Sequence, residues 1–167
     1  MNNLTKYILA GLMVASLIGR PALAAVTPNS QVTPQTPKLG IVQFLQGTDA
    51  AGTYKTLYTG GTNGSICKAI VATTNDASAS HLVTVQLVNT AVKYGGTAVN
   101  VPGNSGFATL IPPVALMSAG NWPGLPSDGS GTQYIYLSGS GDTIQATFAT
   151  ALTASAVLNL IAVCADY

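Results

Sequence analysis

The sequence contains no glutamate, and only 7% of its 167 residues carry a charged side chain. Soluble domains ordinarily have a charge on about a quarter of their residues. The acidic groups are five aspartates: Asp49, Asp76, Asp128, Asp142 and Asp166. The formal net charge is +1 and the basic residues form no cluster, so the chain offers no electrostatic attraction to nucleic acid.

Groups for acid–base catalysis are equally scarce. The one histidine, His81, stands at the start of a predicted strand beside a turn. The aspartates are scattered, and no Gly-x-Ser-x-Gly motif occurs. We therefore interpret His81 as an exposed strand-end residue and expect neither catalytic residues nor enzyme activity.

Metal-binding patterns are absent as well. Two cysteines and one histidine do not make up the tetrahedral ligand set of a structural zinc site. The run Ser127–Gly131 resembles a calcium-binding loop only weakly, and its residue types favour a turn. We expect no metal and no bound cofactor.

The two cysteines, Cys67 and Cys164, are far apart in the chain. In an oxidising compartment two thiols tend to pair, so we favour a disulfide that closes a loop of roughly a hundred residues. The alternative is a pair of buried free thiols that act as small apolar side chains.

The N-terminal residues resemble a secretory signal. Lys6 precedes the apolar run Tyr7–Ile18, and Ala22–Ala24 supplies small residues before a cleavage point. We predict that residues 1–24 are a signal peptide and that the protein is exported to the periplasm, the cell exterior or a surface. The alternative is an uncleaved anchor, although the run is shorter than the roughly 20 residues of a spanning helix.

Residues 25–38 are rich in proline and threonine, a composition that predicts an extended, flexible arm. Such an arm can be a disordered terminus, a tether, or a segment that orders against a neighbouring subunit.

Residues 39–167 read as strands and turns. The stretch Ser65–Asn89 predicts a central hairpin, in which Val83, Val85 and Leu87 share one strand face. Gly95-Gly96 predicts a further small hairpin. The last strand, Val157–Ala165, is apolar on both faces, which places it at the centre of a sheet or under a partner.

About eight or nine short antiparallel strands at regular spacing predict an all-β domain. We expect a β-sandwich with jelly-roll-like topology, and the alternative is a closed barrel.

The aromatic residues offer a possible ligand surface. Tyr134 and Tyr136 share a strand face, and Trp122 lies in a loop, so these three are candidates for a sugar-binding or interface surface. Packing is the favoured role for tyrosine in strands, and Trp122 is expected to cover one end of the core.

Several turn-and-strand segments resemble those of small β-sandwich proteins of tailed phages and prophages. They are Leu57–Ser65, Ala72–Asp76, Val83–Val88, Leu125–Asp128, Ser140–Ala146 and Ala165–Tyr167. The resemblance spans Leu39 to Tyr167 and implies a virion component such as a head decoration or fibre protein. A signal-like leader and two cysteines depart from that pattern. A membrane-containing phage, or a host protein descended from a phage module, would reconcile them.

Together these features predict a non-enzymatic structural protein that self-associates or joins a larger assembly such as a capsid. The alternative is a secreted carbohydrate- or surface-binding module. In neither case do we expect a stable membrane span after cleavage of residues 1–24.

Overall fold

A computed structural model of the chain describes residues 36–108 and 110–167. The predicted signal peptide and residues 25–35 of the predicted arm lie outside the described residues. The described part contains no helix, and therefore none long and apolar enough to cross a membrane.

Nine strands in the described residues form two antiparallel sheets. They are β1 (Thr36–Leu45), β2 (Lys55–Thr59), β3 (Ser65–Thr74), β4 (His81–Asn89), β5 (Val92–Val101), β6 (Val114–Ala115), β7 (Ile135–Leu137), β8 (Asp142–Phe148) and β9 (Val157–Asp166). The first sheet has the order β1-β9-β3-β6, with β7 also paired to β3, and the second has the order β2-β8-β4-β5. Most connections cross from one sheet to the other, which is the jelly-roll arrangement. The predicted fold is confirmed.

The inner faces of the two sheets form one apolar core. The predicted alternation in β4 is confirmed, because Val83, Val85 and Leu87 are all buried. Phe44 of β1 meets Phe148 of β8 edge to face, with ring centroids 5.0 Å apart. Burying each such side chain contributes roughly 1.5–3 kcal/mol to the stability of the fold. In a domain with few charged residues, this apolar contact between the sheets is therefore a main source of stability.

Strand β9 lies in the middle of the first sheet, as the sequence predicts. It pairs with β1 from Leu45↔Val157 to Thr36↔Asp166, and with β3 on its other side. Leu158 and Leu160 are fully buried, whereas Ile161 and Val163 face outward. Both faces of β9 are therefore apolar, and the described residues cover only one of them.

The predicted hairpin of β3 and β4 is wrong. The two strands are in different sheets, and Asn75–Ser80 connects them across the end of the sandwich. The Thr74 hydroxyl at the end of β3 donates to the Val157 carbonyl, 3.0 Å away, which ties this corner to β9. An alternating pattern identifies a buried face but does not specify the neighbouring strand.

The predicted hairpin at Gly95-Gly96 is also wrong. Strand β5 runs through both glycines and pairs with β4 along its length, and the turn between the two strands lies at Thr90-Ala91. The glycines allow a close approach instead, because a Cβ atom on Gly96 would lie 2.8 Å from the Val85 carbonyl oxygen. Thr90 takes the positive φ angle of 56° that the actual turn requires.

The disulfide between Cys67 and Cys164 is present. The two residues are directly opposite in the register of β3 and β9, with their sulfur atoms 2.00 Å apart. Both are buried, so the bond crosslinks neighbouring strands inside the core. A disulfide fits a protein that folds in an oxidising compartment.

Candidate functional site

One edge of the first sheet is open. Strand β1 pairs with β9 on one side and has no strand on its other side among the described residues. The Gln43 carbonyl accepts a hydrogen bond from Lys55 Nζ at 2.9 Å, and the Leu45 N–H donates to Asp49 Oδ2 at 2.8 Å. These groups point away from β9. Because the direction alternates along an antiparallel strand, Leu39 and Ile41 also direct their N–H and C=O groups to the open edge.

A charged pair closes one end of this edge. Lys55 Nζ lies 2.6 Å from Asp49 Oδ1, and hydrogen bonds from Lys55 and from the Leu45 N–H lower the pKa of Asp49. Charged side chains at a sheet edge discourage pairing with other strands. The section of β1 that remains open therefore runs from Pro37 to Val42.

The outward face of the same sheet is apolar. We call it the outer face, and it consists of two side-chain rows that follow the strand register. One row is Leu39, Val163 and Ala69, and the other is Ile41, Ile161, Val71 and Ala115. Leu39 and Ile41 are each 64% exposed. A polar row borders the face, in which Gln43 Nε2 donates to Asn159 Oδ1 at 2.9 Å. Contiguous exposed apolar surface of this kind is characteristic of contact sites.

A second feature lies between residues of the two sheets, beside the β4–β5 turn and the β7–β8 connection. It is an open groove of about 460 Å³, which we call the end groove. Its lining residues are Asn89, Val92, Tyr94, Tyr136, Ser138 and Asp142. Tyr94 belongs to β5 of the second sheet and Tyr136 to β7 of the first.

Asp142 is the charged group of the end groove, and only 4% of it is exposed. Its Oδ2 accepts bonds from the N–H and the hydroxyl of Ser138, each at 2.6 Å, and its Oδ1 accepts from Asn89 Nδ2 at 2.5 Å. Burial alone raises the pKa of Asp142, but these hydrogen bonds outweigh it and hold the pKa below its usual value. The groove thus carries a negative charge at neutral pH.

A β-bulge positions Tyr94. Leu87 lies opposite Gly95 and Val88 opposite Lys93, so Tyr94 is the extra residue in β5. Bulges often redirect a side chain at a functional site. Burial, followed by the nearby Asp142 charge, raises the pKa of Tyr94, and the tyrosine is therefore neutral at physiological pH.

The aromatic residues predicted as a ligand surface do not form one together. Trp122 is only 6% exposed and packs in the core, which was the favoured interpretation. Tyr134 is half-buried. Tyr136 is 52% exposed, lines the end groove and packs against Tyr167 with ring centroids 6.1 Å apart. Tyr136 lines the groove together with Tyr94, which comes from β5 of the other sheet.

The prediction of an exposed His81 is wrong. The residue is fully buried, with its Nε2 2.9 Å from Asp76 Oδ2 and its Nδ1 3.0 Å from the Thr150 carbonyl oxygen. Both neighbours of the ring nitrogens are oxygen atoms that can accept hydrogen bonds. Asp76 also accepts from the N–H and hydroxyl of Thr153 at 2.9 and 2.7 Å. This cluster joins two connections at one end of the sandwich and is closed to solvent.

The turn predicted at Ser127–Gly131 is confirmed. Asp128 Oδ1 accepts hydrogen bonds from the Ser130 N–H at 3.0 Å, the Ser130 hydroxyl at 2.6 Å and the Thr132 N–H at 3.0 Å. The carboxylate therefore organises its own loop.

No family model, no curated protein and no solved structure matches this chain. The features of the structure that bear on function are therefore the outer face, the open edge and the end groove.

Asp76→Asn should lower the free energy of unfolding at pH 7 by about 3 kcal/mol, because His81 loses its buried charged partner. Burial raises the pKa of Asp76, but the bonds from Thr153 and its other donors outweigh this effect and lower the pKa strongly. The contribution of Asp76 is therefore present above the unfolded pKa of about 4 and is lost as the pH falls below it. Guanidinium unfolding at a series of pH values measures the difference between the two proteins.

The difference between wild type and Asp76→Asn should shrink as the pH falls from about 6 to about 2. Asp128→Asn is the matched control, because it removes a carboxylate from a solvent-accessible turn and should change stability much less. A difference between wild type and Asp76→Asn that stays constant across this pH range would refute the assignment.

Proposed function

We propose that this protein is a non-enzymatic structural subunit that assembles with copies of itself. The observation that carries the proposal is the continuity of the open β1 edge with the apolar outer face. Leu39 and Ile41 belong to both features, since their backbone groups point to the edge and their side chains lie on the face. A strand added at this edge gains backbone hydrogen bonds and covers apolar surface at the same time.

A second copy of β1 is the partner that fits this edge. Antiparallel pairing about a twofold axis near Gly40 places Leu39 of one copy opposite Ile41 of the other. The same pairing extends both apolar rows across the axis and makes one continuous sheet, as an isologous contact requires. Lys38 then lies opposite Val42, so the two lysines do not face each other. Residues 25–35 fit less well, because Pro28 and Pro34 have no N–H to donate.

The setting that we propose is the surface of a phage-like particle or of a cell, reached by export. The resemblance of several turn-and-strand segments, among them Leu57–Ser65 and Ser140–Ala146, to phage and prophage β-sandwich proteins is the reason for proposing a particle. The disulfide and the signal-like residues 1–24 support the export. Jelly-roll domains also recur in viral capsids, although one fold serves many roles.

Ile41→Lys should weaken self-association by about tenfold or more, because it places a charge within the new interface. Sedimentation velocity across a concentration series measures the association constant. Leu82→Lys is the matched control, since Leu82 is a partly exposed leucine outside the first sheet. It should associate like the wild type. A wild-type protein that stays monomeric at high concentration, or an equal effect of the two variants, would contradict the proposal.

Density-gradient fractionation of culture supernatant tests the particle. The protein, identified by peptide mass spectrometry, should migrate with DNA-containing particles, and its N-terminus should be Ala25. Recovery only as free soluble protein would contradict the proposed association with a particle. Self-assembly would then be tested by the sedimentation experiment alone.

A further inference from the structure

We propose that the end groove binds a small organic cation that carries an alkylated ammonium group, held against Asp142 between Tyr94 and Tyr136. This binding activity does not require self-assembly, because the groove shares no residue with the outer face.

The carboxylate of Asp142 has no ion-pair partner among the described residues. The ion pairs among the described residues are Lys55–Asp49, Lys68–Asp128 and His81–Asp76, and none of them includes Asp142. The hydrogen-bond partners of Asp142 are the neutral side chains of Asn89 and Ser138 and the Ser138 N–H. Buried carboxylates are usually paired with a cation. A positively charged ligand in the groove would supply the missing partner.

Two tyrosines, Tyr94 and Tyr136, line the groove together with Asp142. Tyr94 is 49% exposed and Tyr136 is 52% exposed, and they come from opposite sheets. The faces of aromatic rings attract cations, and grouped aromatic rings are a known way of recognising quaternary ammonium groups.

The lining selects the charge of the ligand. It contains an aspartate but no lysine, arginine or histidine, so an anion would be repelled. A neutral sugar could contact the tyrosines but would leave the Asp142 charge unmatched. Val92 adds an apolar wall suited to methyl groups on the ammonium.

The test is an NMR titration of the ¹⁵N-labelled full-length protein with choline. Saturable shifts should appear at the Ser138 backbone amide and the Asn89 side-chain amide. The neutral carbon analogue 3,3-dimethylbutan-1-ol has the same shape without the charge, and it should bind at least about tenfold more weakly. Methyl glycosides should produce no saturable shift at these signals.

Variants locate the site. Asp142→Asn should weaken choline binding by about tenfold or more. Tyr94→Leu should weaken it by at least about threefold, while Tyr54→Leu, which removes an exposed tyrosine outside the groove, should leave it unchanged. If Asp142→Asn does not fold, Tyr94→Leu and the neutral analogue still decide the question.

Three results would overturn the proposal. They are equal binding of choline and its neutral analogue, wild-type affinity in Tyr94→Leu, and the absence of saturable choline shifts at Asn89 and Ser138. Binding of glycosides in place of choline would instead make the groove a sugar site.

Discussion

The position of β9 between β1 and β3 is the constraint on which the rest of the structure depends. Its register with β1 covers the whole length of both strands, and Cys164 is bonded to Cys67 of β3 directly across the sheet. Placing an apolar strand at the centre buries Leu158 and Leu160 against the second sheet. It also leaves Ile161 and Val163 on the outer face. The surface proposed for assembly is thus a direct consequence of the strand order.

The chain has few charged residues, and each of its five aspartates has a structural role. Asp76 joins the β3–β4 connection to the residues after β8, and Asp49 and Asp128 organise turns. Asp166 accepts from the hydroxyls of Tyr58 and Ser65, at 2.5 and 2.6 Å, and so fixes the end of β9. An aspartate side chain is short enough to bond the backbone of its own turn, which fits a chain that uses no glutamate. Asp142 follows the same rule but also lines the end groove, and this combination distinguishes the groove.

The alternating patterns predicted which side chains are buried, because every second side chain of a strand lies on the same face of the sheet. Val83, Val85 and the central position of β9 follow from this rule. Strand pairing is not local information, and the supposed β3–β4 hairpin failed for that reason. The interpretation of Gly95-Gly96 as a turn failed because glycine serves close approach as well as turns.

The candidate sites could be predicted from the sequence less well than the buried strand faces. His81 looked exposed because nothing in the sequence shows that Thr153 and Asp76 close over its end of the sandwich. The end groove combines residues from two distant segments with a bulge at Tyr94, and a one-residue irregularity of this kind leaves no periodic signal. The open edge was not predicted either, although Leu39 and Ile41 lie in the region, residues 39–167, that the sequence predicted to consist of strands and turns.

Amide hydrogen exchange in β1, measured as a function of protein concentration, tests the central claim most directly. The Gly40 and Val42 amides point toward β9 and should be protected at every concentration, so they provide the internal control. The Leu39 and Ile41 amides point to the open edge and should exchange rapidly in dilute solution, then become protected as the protein associates. Protection of Leu39 and Ile41 in the dilute monomer, or rapid exchange in the associated state, would contradict assembly through the β1 edge.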